Sequence, residues 1–399
     1  MARTSKVLPQ RVDVAHLISA GVLASVCPRA LIEEVLAGAG KASRRERLLP
    51  APAVVYYVMA LALWREAPLE EVLRVVCEGL QWLGGGQAGA VQASKSAISQ
   101  ARTRLGSEAM HQLAERVLRP LAEPGAPGAW YRGWRVMAVD GSCMDVADEA
   151  ANAKYFGRPS APRGSSAFPQ LRVLGLVECG THVVTAAEVG PYGSSEQAMA
   201  QALLPAKLKP NMLLLADRGF YGFKLWGAAC ASDAKLVWRV KSSLQLPVRK
   251  MLPDGSYLST VFDSADKRRR AGQTVRVIEY GLQNSATPTQ DRYRLITNIL
   301  DPEQAPALEL AALYHERWEI EGVFDEFKTH LRASSTVLRS KTPDLVVQEL
   351  WGLLLAHFAV RQLMAQAAWS RGVDPDRLSF THAVRVIKRK MPQAAALPP

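Results

Sequence analysis

Apolar residues recur at helical spacing through almost all of residues 12 to 83, as in VDVAHLISAGVLASVCPRALIEEVLAGAG, and predict a small helical domain. Pro52 and Pro68 stand where prolines open helices. The glycine-rich stretch LGGGQAGA (83 to 90) interrupts the pattern and leads into SKSAISQARTRLGSEAMHQLAERVL. There Ser94 or Ser96 can cap a helix that ends near Gly106, with Lys95, Gln100, Arg102 and Arg104 opposite Ile98, Ala101 and Leu105. A short polar helix after another across a glycine turn has the layout of a helix-turn-helix DNA reader, and a basic helix facing water fits these residues equally well.

Prolines and glycines in RPLAEPGAPGAWYRGW (119 to 134) mark a linker, after which the pattern becomes β-like. WRVMAVDGSCMDV reads as a strand interrupted by Asp140-Gly141, which predicts a hairpin. QLRVLGLVE and THVVTAAEVG continue as strands, and SSEQAMAQALL as a helix opened by Ser194 or Ser195. NMLLLADRGFYG is a buried strand ending at Asp217, followed by a helix through YGFKLWGAACA and the strand AKLVWRVKS. Antiparallel strands followed by strand-helix alternation predict an α/β sheet covered by helices. Residues 245 to 300, with DKRRRAG, QTVRVIEYGL and DRYRLITNIL, read as an all-β insertion. Beyond Pro302 and Pro306 the chain is helical again, and DLVVQELWGLLLAHFAVRQLMAQAAW (344 to 369) must be buried on much of its circumference. The expected division is a helical domain at 1–120, a linker at 121–134, a core at 135–244 and 301–372 split by the insertion, and a basic tail at 373–399 that includes RVIKRK.

Composition changes this picture in two respects. A net charge of +12, from 49 Lys and Arg against 37 acids, favours a polyanionic partner. Five widely spaced cysteines without a C-x-x-C pair argue against a disulfide framework or a structural zinc and for reducing cytoplasm. No apolar run approaches a membrane span, and the start, MARTSKVLPQRVDVAHL, lacks the apolar core of a secretory signal.

The stretch YHERWEIEGVFDEFK (314 to 328) carries the densest chemistry. On a helical wheel Tyr314, Arg317, Glu321 and Lys328 fall within about 60° of one another. Ile320, Val323, Phe324, Phe327 and Leu331 form an adjoining apolar stripe, and Glu319 and Glu326 project from the far side as expected solvated surface. Arg and Lys bind phosphate, Tyr donates a hydrogen bond and Glu holds a divalent metal; a helix laced with ion pairs is the rival reading, and Asp325 remains a rival to Glu321. Asp140 and Asp217 lie at strand ends, so the three acids are expected to converge where open α/β sheets form sites. Three carboxylates make a hard-oxygen site for Mg²⁺ or Mn²⁺, and two such ions about 3.5–4 Å apart support in-line displacement at phosphorus. His315 and His330 lie off the polar stripe, and the sequence carries neither a nucleophile elbow nor a P-loop.

With Tyr314, Arg317, Glu321 and Lys328 in this spacing, VDGS around Asp140, LADRGFY around Asp217 and LRSKTPDLVVQELWGLLLAHFAVR (338 to 361), the chain resembles the DDE transposases of bacterial insertion sequences, in the insertion-sequence-four group. The resemblance implies a ribonuclease H-like mixed sheet flanked by helices, with the β insertion between the second aspartate and the glutamate and a helical N-terminal domain in front. It implies that Asp140, Asp217 and Glu321 bind the catalytic metals, while Tyr314, Arg317 and Lys328 grip DNA phosphates beside the cleaved end. Relatives that form a DNA hairpin stack a flipped base on a tryptophan in the strand before the glutamate helix; here that strand offers Tyr293, with Trp238 a rival that more readily suits a core. Arg239 and Lys241 can reach phosphates or mark a solvated strand end. Double-stranded DNA, a homodimer on that DNA, and a bacterial, nucleoid-associated location complete the expectation. The rivals are a DNA-binding protein without chemistry and a glycoside hydrolase using paired carboxylates, which needs no metal.

Overall fold

The computed structural model describes residues 21–42, 49–80, 93–161, 164–165, 168–281, 292–330 and 337–390, so the glycine stretch at 83–90 and Leu331 lie outside the described residues. Helices α1 (Gly21–Val26), α2 (Arg29–Gly38), α3 (Ala51–Leu63) and α4 (Leu69–Leu80) open it. Pro52 sits in the first turn of α3 and Pro68 just ahead of α4, where first-turn N–H groups have no helical acceptor and a missing one costs little. Ser94 caps α5 (Lys95–Val117) by accepting from the Ala97 N–H at 3.2 Å. That helix breaks at Gly106, whose φ of 75° an L side chain would resist, so α5 is two helical segments set end to end.

The sheet-forming half follows as β1 (Trp134–Asp145), α6 (Ala150–Phe156), β2 (Gln170–Glu178), β3 (Val183–Pro191), α7 (Glu196–Lys207), β4 (Met212–Ala216), α8 (Phe223–Cys230) and β5 (Lys235–Arg239). Four more strands come next: β6 (Lys250–Met251), β7 (Tyr257–Phe262), β8 (Gly272–Gly281) and β9 (Arg292–Thr297). All nine join one sheet in the order β3-β2-β1-β4-β5-β9-β8-β7-β6, and the short strand Trp130–Tyr131 pairs with the start of β1 as its tenth member. Pairings β1–β4 and β4–β5 are parallel and the rest antiparallel. The expected hairpin at Asp140-Gly141 is not there. Both residues stay in the ladder, opposite Gly175 and Leu174 of β2, and a turn would forfeit those bonds. The strands of the β insertion extend the central sheet, since β9 pairs with β5.

Side-chain alternation assigns the two faces. Val136 and Ala138 of β1 and Leu213 and Leu215 of β4 enter one core, while Met137, Val139, Leu214 and Ala216 enter the other with α7 and α8. The first core is closed by α9 (Ala307–Leu313), α10 (Glu319–Asp325), α11 (Pro343–Trp369) and α12 (Phe380–Lys390) together with the N-terminal helices. The result is a mixed sheet flanked by helices, as the sequence led one to expect.

The N-terminal helices are fastened to α11 at close range. A Cβ on Gly352 would lie 2.7 Å from the Val58 carbonyl oxygen, so α3 and α11 cross backbone against backbone. Buried Arg65 meets buried Glu349 at 2.7 Å. Arg102 is buried as well, its guanidinium donating to Gln348 Oε1 (2.9 Å), Ser340 Oγ (2.9 Å) and the Leu345 carbonyl (3.1 Å). Arg102 was expected on the DNA-reading face; its donors are instead spent on the core. No helix among the described residues is long and apolar enough to cross a membrane.

Candidate active site

Val139 of β1 lies opposite Ala216 of β4, and the residues that follow them are Asp140 and Asp217. Parity places both on the face covered by α10, at the carboxyl end of the parallel pair. The signature stretch is not one smooth helix: α9 runs into a 3₁₀ turn (Tyr314–Trp318), then α10, then a π turn (Glu326–His330). Changes of helical pitch rotate successive side chains away from an even wheel, and such turns gather at functional sites.

Arg317 is the hinge of the arrangement. Nearly buried, it places Nη1 3.5 Å from Asp140 Oδ2 and Nη2 3.4 Å from Glu321 Oε1, so acids from the first strand and the late helix flank a single guanidinium. Both contacts are long for charge-assisted hydrogen bonds. Asp140 is the most perturbed acid of the group, its carboxyl pushed up to about 6. Burial is the largest cause, the Gly141 N–H (2.8 Å) and Arg317 oppose it, and the negative charges of Glu196 and Asp217 add to it. Burial that one arginine offsets only in part makes an added cation favourable at Asp140, and carboxylate oxygens are the donors Mg²⁺ or Mn²⁺ takes. Asp140, Asp217 and Glu321 offer donors of the kind a divalent ion takes.

Tyr314 lies below this group. It is buried, its hydroxyl donates to the Ala216 carbonyl at 3.3 Å, and burial above all raises its phenol pKa. The resemblance implied a phosphate grip for it; in this structure its hydroxyl is turned inward to the backbone that carries Asp217. Lys328 is exposed on the π turn. Burial raises the Cys143 thiol, Arg172 opposes it first among the cations, and Lys328 opposes it too, which puts the Lys328 charge near the end of β1.

Sequence reasoning missed Glu196. From the first turn of α7 its carboxylate reaches over β1, where a Cβ on Gly141 would lie 2.6 Å from its Oε1, and it pairs with Arg172. The glycine after Asp140 is thus required by packing and not by a turn. Only the position of an acid at a helix start hinted at this residue.

Glu319 and Glu326, expected in solvent, are corrected to the buried side. Glu326 is enclosed by Arg361 and by His357 Nε2 at 2.9 Å, and despite the cost of burial its pKa falls to about 2 because Arg361 and His357 overcompensate. Glu319 accepts the Gly180 N–H at 2.5 Å and lies 3.4 Å from His182 Nε2, which is 3.2 Å from Asp376 Oδ1. This His-Glu-Asp group has the composition of a metal site. Its tautomer argues otherwise. Arg361 Nη2 lies 2.7 Å from His182 Nδ1 and can only donate, so a neutral ring keeps its proton on Nε2 and offers no lone pair to an ion.

Arg239, the last residue of β5, stacks on Tyr293 with its guanidinium carbon 4.2 Å from the ring centroid. Tyr293 in turn stacks on Tyr280 (5.4 Å, 21°), and Tyr280 meets His315 edge-on at 6.4 Å, which carries the ladder to the turn holding Tyr314. Trp238 is fully buried against Trp226, as its core reading had it, and Lys241 is exposed just past β5. On α5, Lys95, Gln100 and Arg104 are exposed and form no part of the acid cluster.

A helical domain in front of a mixed sheet whose first and fourth strands each deliver an aspartate toward a late glutamate defines the DDE class of transposases. Residues 132–359 match the family described as Transposase DDE domain, and residues 17–115 match Insertion element 4 transposase N-terminal. The chain is 30% identical over 371 residues to the transposase InsG for insertion sequence element IS4 of Escherichia coli (strain K12), covering 90% of this chain and 80% of that protein. It is 28% identical over 205 residues to the putative transposase InsZ of the same strain, covering 51% of this chain and 65% of that one. A piggyBac transposase synaptic complex with hairpin DNA superimposes with a TM-score of 0.48 at 10% identity, over 96% of this chain and 83% of the other. The chain belongs to the insertion element 4 family of DDE transposases.

Proposed function

We propose that the chain cuts DNA at the terminal inverted repeats of its element and joins the freed 3′-hydroxyl ends to target DNA. The observation that carries this reading is the meeting of Asp140 and Glu321 on either side of Arg317, with Asp217 beside Asp140 in the neighbouring strand. Asp140, Asp217 and Glu321 would hold the divalent metal ions, two if each carboxylate is shared, which supply Lewis-acid activation of the attacking oxygen and stabilisation of the leaving one. Arg317 offsets the acids' charge in part and would contact a phosphate held among them. Tyr314 fixes the end of β4 so that Asp217 is held at a constant place. Lys328 and Lys241 are the exposed cations for the flanking backbone, and the Tyr293–Arg239 stack offers an aromatic face and a charge to an unpaired base. Exposed Lys95, Gln100 and Arg104 are the candidates for reading the repeats, and pairing two ends on two copies accounts for a homodimer on DNA.

Asp217→Asn tests the reading. With Mg²⁺ and a duplex carrying the element's end, nicking should fall at least about 10²-fold, the scale of losing one electrostatic contact to the transition state, while gel-shift affinity stays near that of the parent. Undiminished nicking would remove Asp217 from the chemistry. A DNA-binding protein without activity would show the shift and no nicking in the parent chain.

A further inference from the structure

We infer that the basic face of α12 is a second clamp for the phosphate backbone of duplex DNA, outside the active site. His382, Arg385, Lys388 and Arg389 line a shared groove of about 480 Å³. At ~100° per residue these four fall within a ~120° arc of the helix. Phe380, Val384 and Ile387 take the opposite side and are buried in the core. Among the described residues neither Arg385 nor Arg389 has an ion-pair partner, and Glu66 is the acid whose charge reaches Lys388.

The helix is held rigidly. Phe380 lies against the His357 ring (5.4 Å between centroids) and beneath Arg361 (5.3 Å), the two residues that enclose Glu326. Glu326 begins the π turn that carries Lys328, and α12 packs on that turn. The 11-residue helix is ~16 Å long, enough to follow several phosphates of one strand. A basic amphipathic helix can also lie on anionic lipid, but that needs a free apolar face, and here the apolar face is already in the core. Residues 380–390 lie beyond both stretches that match the family. Its partner rests on the DNA-processing reading above; its geometry does not.

The test uses the full chain carrying Arg385→Gln, Lys388→Gln and Arg389→Gln, and its binding to a blunt duplex as NaCl is raised. Loss of three phosphate contacts should shrink the slope of log affinity against log salt by about 2.7, with an unchanged thermal midpoint. The variant without the Lys388 change, which spares the half-buried lysine, should lose about 1.8. An unchanged slope in a folded variant overturns the inference, as does lost affinity for vesicles of phosphatidylglycerol and phosphatidylcholine with duplex binding intact. Asp217→Asn separates the two readings, because it should keep the parent's salt slope. If that variant still nicks DNA while the α12 variant loses slope, the catalytic assignment falls and the clamp stands.

Discussion

Two groups of acids sit on opposite sides of the same short helical run. Glu326, on the buried side, is enclosed by Arg361 and His357 and ionised down to about 2. Glu321, on the open side, shares one guanidinium at long range with Asp140, whose carboxyl rises to about 6 chiefly through burial. Full compensation makes a rivet. Incomplete compensation is what the proposed cation would complete. The residue types are alike, and the number of cations built around them separates structure from chemistry.

The comparison can be broken by experiment. Glu326→Ala should cost about 3–5 kcal/mol in urea unfolding, because it strands buried Arg361, whereas Glu321→Ala should stay within about 0.5 kcal/mol while losing cleavage. Equal costs would show the two sides to be alike. Divalent cation should act only on the open side: at a hundred times its Kd, Mg²⁺ or Mn²⁺ should stabilise the parent by about 2.7 kcal/mol in thermal unfolding, and Asp140→Asn should abolish that gain. Acid should act on the closed side. Glu326 and Glu349 both titrate near 2 in the fold, below the ordinary 4.5, so their contribution is complete above that value and is lost as pH falls toward 2. Urea midpoints should therefore drop between pH 4.5 and 2.5, less steeply in Glu326→Gln. The smallest effect belongs to Tyr314→Phe, about 1 kcal/mol for the bond to the Ala216 carbonyl; unchanged stability with weakened DNA binding would restore the phenol to the phosphate.

Much of this was legible in the sequence, and the exceptions have a common cause. The strand at 212–216, the β character of 134–145, the helix starts at Ser94 and Pro52, and the buried helix 343–369 follow from periodicity and local signals that tertiary structure leaves intact. Asp140-Gly141 misled because its glycine answers to Glu196, a neighbour supplied by another element. Glu319, Glu326 and Arg102 misled because a charge reads as exposed until its partner is known, and the partners lie far away in the chain: Gly180 and His182 for Glu319, Arg361 for Glu326, Gln348 for Arg102. Spacing alone gave the neighbourhood of Arg317 and Glu321, but the inward turn of Tyr314 depends on a 3₁₀ segment that an even wheel does not contain.

The backbone crossing at Gly352, with Arg102 and Arg65 bonded to the same long helix, ties the N-terminal helices to the helix that covers the sheet. A protein joined in this way behaves as a ruler: an end read at Lys95, Gln100 and Arg104 would meet the acids at one fixed spacing along the duplex. Inserting a single base pair between the read sequence and the cut would turn the scissile phosphate away by roughly a tenth of a helical turn, and the break would follow the protein's offset, not the inserted sequence.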